Sequence, residues 1–67
     1  MKIKDAHIGL QVVTSDIPDA TVYEIVELYR EGNQVAAVLK CITYPHYSDS
    51  VTEVCYLSIP TAEQLAA

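Results

Sequence analysis

The sequence predicts an all-β (mainly β) fold: four to five antiparallel strands, a short C-terminal helical turn, and the whole of 1–67 in a single small domain. Three observations predict it. Several segments alternate apolar and other residues with a period of two, the period of a strand with one buried face. Those segments are rich in Val, Ile, Thr and Tyr, the residues that pack best on a pleated surface. Clusters of Asp, Pro, Gly, Asn and Ser separate them, as turns require. A sheet this small must curl to cover its apolar face.

The first segment is HIGLQVVT (7–14), where Ile8, Leu10 and Val12 alternate with Gly9, Gln11 and Val13. SDIPDA (15–20) comes next as a loop, marked by Asp16, Pro18 and Asp19. The segment after it, TVYEIVELYR (21–30), admits two readings. As a helix it places Val22, Ile25, Val26 and Tyr29 on one side, Thr21 and Glu24 have capping-box spacing, and Gly32 stands where a helix would stop. That alternative would make the fold α+β. As a strand it puts Val22, Val26 and Leu28 on one face and Tyr23, Ile25 and Tyr29 on the other, with Glu24 interrupting the first and Glu27 the second. The excess of β-branched and aromatic residues favours the strand. The neighbouring residues favour it too. Gly32 and Asn33 suit a tight turn with positive φ, and VAAVLKCITY (35–44) sets Val35, Ala37, Leu39 and Cys41 on one face. The hairpin is therefore the expectation adopted for 21–44. VTEVCYLSI (51–59) reads as a further strand. Val51, Cys55, Leu57 and Ile59 share one face, Glu53 excepted, and Thr52, Val54, Tyr56 and Ser58 share the other. Pro60 ends the ladder because it has no N–H to donate. PTAEQLAA (60–67) holds good helix formers, and Thr61 and Gln64 again have capping-box spacing. A helix this short must dock or fray.

This order of features, IGLQVV, a loop, TVYEIVELYREGNQVAAVLK, an irregular loop and VTEVCYLSIP, resembles a Src-homology-3-like (Tudor-like) small barrel. Gly9 to Val12 matches the Gly-x-x-Val element with which such domains often begin. A long bent hairpin comes after it, and a proline-containing single turn precedes the last short strand. The resemblance spans nearly the whole chain and is one of pattern. The acidic-aromatic signature and the Trp of polyproline-binding members are absent, so that activity is not implied. The chain also resembles short acidic proteins of bacteria and prophages.

Charge narrows the functional classes. Nine Asp and Glu against four Lys and Arg give a net charge of −5. Nucleic-acid binding depends on cations that displace counterions from phosphates, and here only Lys2 and Lys4 lie close together. A nucleic-acid-associated accessory barrel is kept as an alternative that the charge disfavours. Binding to an anionic membrane is disfavoured for the same reason. No apolar run approaches the ~20 residues that span a bilayer. The start of the chain does not read as a signal peptide, so a cytoplasmic protein is expected.

The remaining candidates are weighed on chemistry. Pairing of 35–44 with 51–59 about a loop centred near Ser48 would set Cys41 opposite Cys55, close enough for a disulfide. In a reducing compartment the two are instead expected as buried thiols. A small metal or redox protein using Cys41 and Cys55 is a second alternative. Zinc is not expected, because Cys41, His46 and Cys55 lack the paired spacing of structural sites. No two carboxylates stand out as an acid–base pair, and with Gly9 and Gly32 the only glycines there is no phosphate-cradling loop. No catalytic residue, metal or cofactor is expected, and the chain is read as non-enzymatic. The stretch TYPHYSDS (43–50) is the candidate contact loop, through Tyr44, His46 and Tyr47. Tyrosine offers a large, rigid contact area, and irregular loops on a rigid scaffold carry binding residues. The alternative is that one of these tyrosines merely caps an open barrel end. The expected role is a small interaction module that binds a protein partner or self-associates, as in a homodimer.

Overall fold

The computed structural model describes residues 1–66. It is mainly β: β1 (Gln11–Val12), β2 (Tyr23–Glu31), β3 (Gln34–Cys41) and β4 (Ser50–Glu53) form one antiparallel sheet in the order β1-β2-β3-β4. The sheet curls into a half-barrel, an arrangement compatible with a Src-homology-3-like fold. A single 3-10 turn, Val54–Tyr56, succeeds β4, and a short helix α1 (Ala62–Ala66) ends the described chain. Val13 and Ser58 form an isolated bridge with reciprocal N–H to C=O bonds of 2.9 Å, joining the end of β1 to the segment after the 3-10 turn. That bridge is where a fifth strand would lie.

The helical alternative for 21–30 is overturned, since Tyr23–Glu31 is a strand in register with β3. Its mixed faces have a physical cause. Ile25 pairs with Leu39 and Glu27 pairs with Val38, so Val26 is an extra residue, a β-bulge. A bulge shifts the inward phase by one. Tyr23 and Ile25 face the core before it, and Leu28 faces the core after it, opposite Ala37. Glu27 and Tyr29 are thereby turned outward, so Tyr29 does not share a face with Ile25. On β3, Ala37, Leu39 and Cys41 are buried and Val35 half-buried, as the alternation requires, while Ala36 on the opposite face is buried as well. The Gly32–Asn33 connection has positive φ only at Gly32 (63°), which is the pattern of a type II′ turn with glycine first. Asn33 therefore supplies no left-handed residue.

Two other expected strands are shorter than the alternation implied. The 7–14 segment pairs as a strand only at Gln11–Val12, and Ile8 is exposed. Gly9 (φ 93°) accounts for the break: its N–H bonds to the Ile25 carbonyl, while the Ile25 N–H bonds to the Leu10 carbonyl. Two residues thus face one, around a left-handed glycine that a side chain would strain. The 51–59 segment is interrupted by the 3-10 turn. Val54 and Leu57, three apart, are both buried, whereas Cys55, Tyr56 and Ile59 are exposed. A period of three there is that of a 3-10 turn. This turn contains no proline; Pro60 comes after it and is buried.

The core is Val12, Ile25, Ala37, Leu39, Val54 and Leu57, each at most 1 % exposed. So small a core leaves little room for error in so short a chain. The helix α1 is tied to the loop before β2 through Gln64, the one buried polar side chain among the described residues. Its backbone N–H donates to Thr61 Oγ1 (3.1 Å), and its Oε1 accepts from the Thr61 N–H (3.0 Å), completing the capping box. Its Nε2 then donates to the carbonyls of Ser15 (3.1 Å) and Ile17 (2.9 Å) in the loop before β2. Among the described residues, no helix is long and apolar enough to cross a membrane.

Candidate functional site

The candidate loop joins β3 to β4. It leaves the barrel beside β2, where the Ile42 N–H donates to the Val22 carbonyl (3.3 Å). Tyr44-Pro45-His46-Tyr47 is a β-turn closed by the Tyr47 N–H donating to the Tyr44 carbonyl (3.0 Å). Pro45 occupies its second position, where the fixed φ of proline is pre-set for the turn. No residue but glycine has positive φ among those described, so His46 fits a type I turn rather than type II.

The turn brings three rings together. Tyr44 and Tyr47 stack with centroids 5.0 Å apart and planes 22° from parallel. His46 stands edge-on to Tyr47 at 4.9 Å and 74°, and to Tyr44 at 6.3 Å and 85°. Both geometries are favourable for aromatic pairs, contributing about 0.5–1.5 kcal/mol each beyond area burial. The stack is nonetheless not core: Tyr44 is 48 % exposed and Tyr47 55 %. The sequence-designated residues Tyr44, His46 and Tyr47 are thus assembled on one surface.

Beside them lies a groove for which the sequence carries no signal. This cleft, of about 340 Å³, runs between the loop before β2, the start of the β3–β4 loop and α1. Asp19, Thr21 and Val22 form one wall, Thr43 and Tyr44 another, and Leu65 a third. The Ile42–Val22 bond brings the first two walls together, and Gln64 adds the third by tying α1 to Ser15 and Ile17. Tyr44 is common to the groove and the ring stack.

The two cysteines are not brought together. The register of β3 and β4 runs from Ala36 opposite Glu53 to Leu39 opposite Ser50, so Cys41 lies beyond the paired end and Cys55 beyond the other. That register is centred between Tyr44 and Pro45, not near Ser48. Cys41 is buried, opposite Tyr23, and Cys55 is exposed, with its thiol 3.6 Å from Glu53 Oε2. The expectation of two buried thiols therefore holds for Cys41 and fails for Cys55, because Cys55 sits on the outside of the 3-10 turn. Among the described residues no group of three or more His, Cys, Asp or Glu is placed to hold a metal ion. No protein-family model, curated protein or solved structure matches the chain.

Proposed function

We propose that this chain is a Src-homology-3-like barrel that performs no catalysis and binds another protein through the Tyr44-Pro45-His46-Tyr47 turn. The observation that carries the reading is the ring stack: three aromatic side chains in mutual contact, held by a proline turn, with both tyrosines about half exposed. Rings that stack on each other give up little further rotamer freedom when a partner covers them, and ordering cost is what most reduces affinity at an interface. The barrel reading draws support from the bent β2–β3 hairpin, from the 3-10 turn after β4 and from the Val13–Ser58 bridge. A reducing, cytoplasmic setting belongs to the same proposal, and two thiols that the fold keeps apart suit it.

The test compares the intact protein with the double variant Tyr44→Ala, Tyr47→Ala in quantitative pull-downs from host extract, with thermal unfolding of both. The reading expects a specific partner to be lost while the melting temperature changes little. Partners retained by a folded double variant would refute it.

A further inference from the structure

The outer face of the sheet is a surface separate from the aromatic loop. Directly opposed residues in an antiparallel sheet share a face. The register therefore lays Glu27, Val38 and Val51 in one row across the outside of β2, β3 and β4, and Tyr29, Ala36 and Glu53 in the next. Glu31 and Gln34 close the hairpin end, and Glu24 faces Lys40 at the other. The apolar residues of this face are uncovered at its two flanks, Val51 at 57 % exposed and Tyr29 at 43 %, on either side of a half-buried Val38 and a buried Ala36. Its margin is acidic. Lys40 opposes Glu24, but the register sets Glu27 against Val38, Glu31 against Gln34 and Glu53 against Ala36. The Val26 bulge creates this arrangement, because an unbroken alternation from Ile25 would have turned Glu27 inward.

Charge decides the occupant. A second copy bringing the same face would set three carboxylates that no cation opposes in the register against the same three, and a nucleic acid would be repelled. A purely apolar partner would strip water from those carboxylates without pairing them, which is costly. We infer that this face docks a basic segment of another protein, one that lays apolar side chains on Tyr29 and Val51 and sets Lys or Arg against Glu27, Glu31 and Glu53. Complementary charge would steer encounter and fix register, and the tyrosine face offers a cation–π contact.

The experiment is an amide chemical-shift titration of the whole chain with a short peptide alternating lysine with valine and threonine. A second peptide carries glutamine at every lysine position. The inference expects saturable shifts confined to β2 after the bulge, β3 and β4 with the lysine peptide, and none with the glutamine peptide. The triple variant Glu27→Gln, Glu31→Gln, Glu53→Gln is expected to weaken binding about tenfold or more, and raising salt from about 20 to about 200 mM is expected to weaken it likewise. Tyr29→Ser is expected to weaken it about threefold, a loss of packing that charge alone would not produce. The double variant at Tyr44 and Tyr47 is expected to bind the peptide as the intact chain does, which separates this surface from the loop. Shifts centred on Asp16, Asp19 or Asp49, equal shifts from both peptides, or indifference to Tyr29→Ser would overturn the inference. Retained spectral dispersion in each variant shows that it is folded.

Discussion

Gln64 joins the C-terminal helix to the body of the barrel, and changing it separates two functions that one side chain performs. Gln64→Ala removes the capping-box acceptor for the Thr61 N–H and both donors to the Ser15 and Ile17 carbonyls. A cap contributes about 1 kcal/mol and each net hydrogen bond about 0.5–1.5 kcal/mol. The loss is therefore about 2–4 kcal/mol, against a total stability of about 3–10 kcal/mol for a chain of this length. At about 4–8 °C per kcal/mol, the melting temperature falls by roughly 8–32 °C. Gln64→Glu is the sharper test. A capping box accepts Glu as readily as Gln, so capping alone predicts an unchanged protein. The bridge predicts otherwise, because glutamate loses both donors and aims a carboxylate at two carbonyl oxygens. Thermal unfolding followed by circular dichroism at neutral pH reads the difference. The expected fall for Gln64→Glu is at least that of Gln64→Ala, and a melting temperature within about 3 °C of the parent would refute the reasoning.

Other consequences are equally direct. Ile25→Ala empties a fully buried position and is expected to cost about 2–5 kcal/mol by denaturant titration, most of the domain's stability, whereas Ile8→Ala at an exposed position is expected to change it by less than about 0.5 kcal/mol. Gly32→Ala meets no neighbour within 4 Å, so its cost is backbone strain alone at φ 63°, about 1–3 kcal/mol by the same titration. A thiol reagent is expected to modify Cys55 at once and Cys41 only on unfolding; two fast equivalents in the native protein would contradict the burial of Cys41.

The sequence and the structure part company at identifiable residues. The β2–β3 hairpin was legible because Val35, Ala37, Leu39 and Cys41 alternate without interruption and a glycine turn precedes them. The capping box of Thr61 and Gln64 was legible for the same reason: it is a local pattern. Glu27, in alternation with Tyr23 and Ile25 along the sequence yet turned outward in the fold, was the trace of the bulge, but no residue at Val26 announces one, since any residue can be the extra member of a pair. Val54 and Leu57 carried a period of three inside a stretch that also fits a period of two, and the short 3-10 turn won because it buries both. At the candidate site, Tyr44, His46 and Tyr47 were legible as a cluster, with Pro45 fixing the turn. The groove beside Tyr44 was not, because it depends on α1 docking across nearly fifty residues of sequence through Gln64. The conditional placement of Cys41 opposite Cys55 failed because it assumed a loop centred near Ser48, which sequence does not specify, while both cysteines stay free as expected.

The central claim is that the stacked tyrosine turn is where a partner sits, and site-specific photo-crosslinking tests it most directly. A benzophenone side chain is placed at Tyr47, or at the similarly exposed Ile8 on the 7–10 segment, and the protein is irradiated in living host cells. The account predicts a discrete adduct of one partner from position 47 and none from position 8. Adducts of the same partner in equal yield from both positions, or from position 8 alone, would contradict it.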